Sequence, residues 1–206
     1  MRHRNLHGLR FLMAANEVRI IGGNWRGRKL SFPPADALRP SLGRVRETLF
    51  NWLRGRVEGS RCLDLYAGSG ALGFEALSRG AAAVTFVDRN PRVVRALREN
   101  AARLGVADCA IVCSPARRFL QRVPSTDQPD AGKPWDIIFL DPPFAGNELS
   151  DILTLIRERS LLAGNGVVYV EASRRATVPL AGWEQLKHSV AGDSQFGLLA
   201  PPAEPG

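Results

Sequence analysis

Cysteine, histidine and long apolar runs are all scarce in this sequence. Its three cysteines, Cys62, Cys109 and Cys113, are odd in number and show no Cys-x-x-Cys spacing. That argues against a disulfide-framed secreted domain. All three fall in expected strands, so they read as buried free thiols in a reducing cytosol. The histidines, His3, His7 and His188, are dispersed, and no metal is expected. No apolar run approaches the roughly 20 residues that cross a bilayer, which leaves no membrane partner in view. The opening stretch, MRHRNLHGLRFLMAANE, is basic and then mildly apolar, too short and broken for a secretory leader. A transit-like arm is one alternative. Another is a true start at Met13, which makes residues 1–12 a loose tail. Internal repeats and low-complexity tracts are also absent.

What is present is a basic excess, unevenly spread. The 206 residues carry a net charge of +8, and 45% of them are hydrophobic, which suits one compact domain with a small appendage. Residues 1–61 hold 13 Lys/Arg against 4 Asp/Glu, whereas residues 62–206 hold 15 against 16. Such asymmetry points to a polyanionic partner gripped by the first region while the second does chemistry. A merely solubilising arm is the alternative.

From residue 61 onward, strands alternate with helices. RCLDLYAG (61–68) reads as a buried strand entering a glycine turn, and ALGFEALSRG (71–80) as a helix with a glycine stop. A strand over 82–88 precedes a helix over 90–105, with Asn90 as N-cap, Pro91 in the first turn and Gly105 as terminator. Strands over 109–113, 135–141 and 166–173 and helices over 116–123 and 149–162 follow. The tail forms two strands around Gly192-Asp193, with residues 201–206 frayed. This order predicts an α/β, doubly wound and mostly parallel sheet with an antiparallel hairpin at its side. Ahead of it, VRIIGGNWRGRKLSFP (18–33) reads as a basic β-hairpin. RPSLGRVRETLFNWLRG (39–55) reads as an amphipathic helix with Ser41 as N-cap and a stripe of Leu42, Val45, Leu49 and Trp52.

Two motifs carry chemistry. In DLYAGSGALG, Gly68, Gly70 and Gly73 stand as G-x-G-x-x-G between strand and helix, and Asp88 ends the next strand. That pattern holds a nucleotide-like cofactor, with the acid on its ribose, but it does not choose between a dinucleotide and S-adenosylmethionine. A glycine turn needed only for packing is the plainer reading. In WDIIFLDPPFAGNE, a buried strand ends on Asp141, Pro142, Pro143 and Phe144. Methyl transfer to an exocyclic amine needs acceptors for the amine hydrogens, so that the lone pair faces the methyl. Asp141 and the Pro142 carbonyl can both accept, neither proline can donate a competing N–H, and Phe144 can cover a flat base. A simple strand stop is the plainer reading here.

Together the motifs look like those of the amino-group methyltransferases with Asp/Asn-Pro-Pro-aromatic. More narrowly, RIIGGNWRGRKL, RPSLGRVRETLFNWL, CLDLYAGSGALGFEALSRGA and FLDPPF resemble the bacterial 16S ribosomal RNA guanine-N2 methyltransferases of the RsmD type, from about Val18 to Glu171. The resemblance implies a seven-stranded Rossmann-like methyltransferase sheet, S-adenosyl-L-methionine as cofactor and a cytoplasmic enzyme. Its partner would be 16S rRNA or the 30S ribosomal subunit, and it would act as a monomer. It implies that Asp64, Gly68, Ser69 and Gly70 hold the methionine portion and Asp88 the ribose, with Ala67 and Arg89 also in the cofactor site and the adenine left to the Ala116 backbone or Ser114. Asp141, Pro142, Pro143 and Phe144 would receive the guanine amino group. Arg26, Arg28, Lys29, Arg39, Arg44 and Arg46 would grip RNA phosphates. The expected organisation is a tail (1–17), an RNA-docking hairpin and helix (18–57), a methyltransferase domain (58–200) and a frayed end (201–206).

The chain departs from the family pattern in three places. Leu42-Gly43 replaces a Thr-Asp pair, Pro115 stands where an acceptor commonly faces adenine, and residues 1–17 have no counterpart. Outside the leading reading stand a DNA or other RNA amino-methyltransferase, a nicotinamide-dependent oxidoreductase with no visible hydride site, and a non-catalytic RNA-binding protein.

Overall fold

The structure is a computed structural model that describes residues 16–34, 43–124, 133–142 and 147–202. Its centre is a seven-stranded sheet in the order β5-β4-β3-β6-β7-β9-β8. Here β3 is Arg61–Asp64, β4 Ala83–Asp88, β5 Cys109–Cys113, β6 Trp135–Leu140, β7 Leu162–Ser173, β8 Glu184–Ala191 and β9 Ser194–Ala200. The strands β3 to β7 are mutually parallel, while β9 runs antiparallel to β7 and β8. The chain winds outward from β3 to β5 and then returns to the other side of β3 to make β6. Strand order therefore reverses between β3 and β6, the point at which open α/β sheets hold a ligand crevice beyond the carboxyl ends.

Helices cover both faces, so the central strands are apolar on both sides. On one face α1 (Gly43–Trp52), α2 (Ala71–Ser78) and α3 (Pro91–Leu104) pack on a core that includes Phe74, Phe86, Phe139 and Tyr169. On the other, α4 (Ala116–Arg122) and α5 (Asn147–Glu158) bury Leu120, Ile152 and Ile156 against Ile138, Leu140 and Val168. The third motif glycine, Gly73, lets α2 lie close on the sheet, since a Cβ there would overlap the Phe86 ring. The caps of α3 follow their residues: the Asn90 side chain accepts from Arg92 N, and Gly105 takes the left-handed conformation at φ 71°.

The basic N-terminal segment is an antiparallel hairpin of β1 (Asn16–Arg19) and β2 (Lys29–Phe32). Val18, Ile20, Leu30 and Phe32 enter the same core as Leu49 and Phe74. The turn rests on the end of α2: the Ser78 hydroxyl donates to Gly22 O at 2.6 Å, and Trp25 N donates to Ser78 Oγ at 2.9 Å. Gly23, at φ 72°, is required there, because a Cβ would strike the Ser78 carbonyl. Along β2, Ser31 and Asn100 exchange two hydrogen bonds.

Several expectations change. Among the cysteines only Cys62 is buried; Cys109 is half-buried and Cys113 exposed, because β5 is an edge strand. The last helix stops at Glu158 rather than continuing to 162. Ser160 turns left-handed at φ 51°, Leu161 N bonds back to Ile156 O, and β7 starts at Leu162. In α1 the stripe of Val45, Leu49 and Trp52 faces inward as expected, but Arg46 and Phe50 are buried with it. Ser41 and Leu42 lie outside the described residues.

Candidate active site

The carboxyl ends of β3, β4 and β6 bring the two motifs together. After β3 the chain turns through Gly68 (φ 49°) and Gly70 (φ 76°), and Gly70 N bonds to Ala67 O at 2.6 Å. The turn is tied to its neighbours by Leu65 N to Phe139 O at 3.2 Å and Ala67 N to Val87 O at 3.0 Å. Asp88 braces it from below, accepting from Gly68 N at 3.0 Å and from Asn90 N at 2.8 Å. Asp88 is half-buried at this edge. Ala67, Gly68 and Ser69 are buried, Arg89 is exposed, and Ala116 is buried at the start of α4.

Asp64 is more deeply set. It is 3% exposed and accepts from Gly73 N at 3.0 Å. Burial pushes its carboxyl up to about 7, opposed by the Gly73 N–H and reinforced by the charge of Asp88. Pro115 precedes α4 without a side-chain cap, and the Ser114 hydroxyl is turned onto the Pro115 carbonyl at 3.1 Å.

Asp141 follows β6 directly, and Pro142 is buried beside it. Pro143 and Phe144 lie outside the described residues, as does Arg39. Tyr66 OH, in the glycine turn, donates to Glu148 Oε1 at 3.1 Å at the start of α5. Two residues of β7 also reach this edge, and the sequence reading did not single them out. Tyr169, fully buried, donates to Glu171 Oε2 at 2.8 Å, and Glu171 is 8% exposed. The signal was the alternation of GVVYVEAS, which puts Tyr169 and Glu171 on one face.

The expected phosphate-gripping residues divide. Arg26, Arg28, Lys29 and Arg44 are exposed. Arg28 donates to Arg103 O at 2.8 Å, and Lys29 pairs with Glu17 at 2.7 Å. Since α2 and α3 run opposite to the parallel strands, their C-terminal ends lie at the amino edge of the sheet. The hairpin tip therefore sits below the crevice by roughly the length of those helices, about 12–21 Å at 1.5 Å per residue. Arg46 must be removed from the set. It is 3% exposed, and its Nη1 lies 3.9 Å from the fully buried Glu75. Glu75 also accepts from Ile21 N at 2.8 Å and Arg79 Nε at 2.7 Å, so Arg46 belongs to an internal charge knot. Desolvation holds its guanidinium below the usual arginine range.

A second basic surface went unread because acidic residues elsewhere cancel it. Residues 89–122 contain eight arginines against only Glu99 and Asp108. Arg92, Arg95, Arg98, Arg118 and Arg122 are exposed around the edge strand β5. Beside them a groove of about 410 Å³ is lined by Cys113, Pro115, Arg118, Phe119 and Arg122, among others. Among the described residues no His/Cys/Asp/Glu group could hold a metal ion, and no helix is long and apolar enough to cross a membrane.

A doubly wound seven-stranded sheet whose glycine turn, Asp88 and Asp141 converge on one carboxyl edge is the architecture of a methyltransferase. The family model described as Conserved hypothetical protein 95 matches residues 18–200. Ribosomal RNA small subunit methyltransferase D of Escherichia coli strain K12 is 40% identical over 186 residues, covering 89% of this chain and 90% of that protein. The protein of the same name from Haemophilus influenzae is 40% identical over 188 residues, covering 90% and 94%. A solved structure, described as putative methyltransferase yhhF from Escherichia coli, superposes with a TM-score of 0.79 at 41% identity, covering 92% of this chain and all of that one. The chain belongs to the ribosomal RNA small subunit methyltransferase D family.

Proposed function

We propose that this enzyme transfers a methyl group from S-adenosylmethionine to the exocyclic N2 amino group of a guanine in small-subunit ribosomal RNA, in the cytoplasm. The observation that carries this is the meeting of the glycine turn, Asp88 and Asp141 at the β3–β6 switch point. The fit to the cofactor rests on that geometry. Left-handed Gly68 and Gly70 shape the turn, a half-buried carboxylate stands on the ribose side, and a buried carboxyl stands beneath the turn. When bound, S-adenosylmethionine supplies an activated methyl on a good leaving group.

The chain's own residues then have to hold and orient. The Gly68–Gly70 backbone and Asp64 hold the methionine portion, Asp88 and Arg89 the ribose side, and Ala116 the adenine edge. Asp141 and the Pro142 carbonyl accept the amino hydrogens and keep the lone pair in line with the methyl; most of the rate comes from this positioning. Pro143 keeps the segment free of a competing donor, and Phe144 covers the base face. Arg26, Arg28, Lys29, Arg39 and Arg44, with the arginines around β5, hold phosphates, a sequence-independent attraction. The RNA is taken free or within the assembling 30S subunit, and in either form it offers phosphates to the basic hairpin.

The test is Asp141→Ala. It should abolish methyl transfer to ribosomal RNA while leaving S-adenosylhomocysteine affinity within a few-fold by calorimetry. A variant that turns over like wild type removes Asp141 from the reaction and the reading with it.

A further inference from the structure

Glu171 stands beside the residue assigned to the amine. Leu140 of β6 pairs with Val170 of β7, so one step further along these parallel strands Asp141 and Glu171 are neighbours. Adjacent strands lie about 4.8 Å apart. Alternation puts Glu171 on the face of Tyr169, whose ring packs 6.4 Å from that of Phe139. The Tyr169 hydroxyl donates to Glu171 Oε2 at 2.8 Å, and both residues are buried. Burial, Glu171 and the charge of Asp141 together hold the Tyr169 phenol far above its usual range, so it remains a donor. Two acidic side chains thus come from adjacent positions at the carboxyl edge of β6 and β7, both acting on the buried Tyr169, which anchors Glu171.

A carboxylate is an acceptor only. Guanine presents two kinds of donor side by side on its Watson–Crick edge, the N2 amino group and N1–H. Adenine has an acceptor at N1, which a carboxylate repels. From this arrangement, and resting on the guanine-N2 reading above, we propose that Glu171 accepts the N1–H of the target guanine and is the residue that makes the enzyme specific for that base. Asp141 and the Pro142 carbonyl hold the N2 hydrogens, and Tyr169 is a positioning residue that fixes the Glu171 carboxylate. A site built around a donor rejects an analogue that lacks it far more strongly than apolar packing can.

The test uses 2-aminopurine, which keeps the 2-amino group but has an unprotonated acceptor at N1. Ribosomal RNA fragments carrying guanine or 2-aminopurine at the mapped position are compared by kcat/KM for methyl transfer. Wild type should prefer guanine by about 100-fold or more. In Glu171→Gln the amide oxygen takes the Tyr169 hydroxyl and the NH2 turns toward N1, so the variant should lose most guanine activity and bring the two substrates within about ten-fold, with S-adenosylhomocysteine affinity unchanged. Tyr169→Phe should narrow the preference part way and raise KM more than it lowers kcat. A wild-type enzyme that methylates both RNAs equally overturns the proposal, and this comparison needs no variant to fold. So does a Glu171→Gln enzyme that keeps the wild-type preference. A wild-type enzyme inactive on both bases, in free RNA and in reconstituted 30S subunits alike, brings down the guanine-N2 reading, and the role of Glu171 with it.

Discussion

Replacing Asp64 by asparagine removes a buried charge while keeping an acceptor for Gly73 N–H. The wild-type carboxyl is carried from 3.8 to about 7 on folding, chiefly by burial. The folded form therefore binds more protons than the unfolded form between about pH 4 and pH 7. Stability falls with rising pH across that window, and the whole penalty is present above about 7. At about 1.4 kcal/mol per unit, the penalty reaches on the order of 4 kcal/mol. Asp64→Asn escapes it. The stability gap between variant and wild type should thus be small at pH 4, grow by roughly 2–3 kcal/mol between pH 5 and pH 8, and level off above that. Urea unfolding of both proteins across this range measures the gap, and other titrating groups cancel in the difference. Cofactor binding should move the opposite way. If the methionine ammonium lies on Asp64, binding favours the ionised form, and S-adenosylhomocysteine should bind the variant about 10–100-fold more weakly, the worth of a charged hydrogen bond. A gap that does not change with pH, or a variant less stable than wild type at pH 8, would refute the reasoning.

Glu75→Gln should destabilise the protein by about 3–5 kcal/mol, because it leaves Arg46 buried without its carboxylate; the urea midpoint reads this directly. Reversing charge at Arg26, Arg28 and Lys29 should leave the fold and S-adenosylhomocysteine binding intact, since what is lost there is an exposed ion pair, Lys29–Glu17, and an exposed hydrogen bond from Arg28 to Arg103 O, which contribute little to stability. RNA affinity should nevertheless drop, with the log–log salt slope falling by roughly 2 for three contacts on single-stranded RNA; an unchanged slope would assign the hairpin tip a role other than RNA contact.

Local chemistry made most of the fold legible. Asn90-Pro91 and Gly105 bound α3 by capping rules that need no tertiary knowledge. Gly192, at φ 60°, closes the last hairpin where the sequence put a turn. The glycine turn and Asp88 were readable because their spacing is set by one strand–helix–strand unit, and Gly68 N indeed bonds to Asp88. What was not legible depends on the order and register of the strands. Leu161 and Leu162 continue the helical period of α5, yet Leu161 is buried as a core residue outside the helix and Leu162 begins a strand. Arg46 looks like a surface cation until Glu75, on a different helix, is brought beneath it. Cys109 and Cys113 depend on β5 being an edge. Glu171 acquires meaning only when β7 aligns beside β6. The second basic surface was hidden by averaging charge over too long a segment.

The central claim is that this edge methylates a guanine at N2 in small-subunit ribosomal RNA. The purified protein, S-adenosylmethionine carrying a labelled methyl group, and 16S RNA or 30S subunits from a strain lacking the family's enzyme form the assay, with the product digested to nucleosides and mapped by mass spectrometry. The account predicts one labelled species, N2-methylguanosine, at a single position, lost with Asp141→Ala. Label on guanine N1, on an adenine or on protein, or none in either RNA substrate, would contradict it.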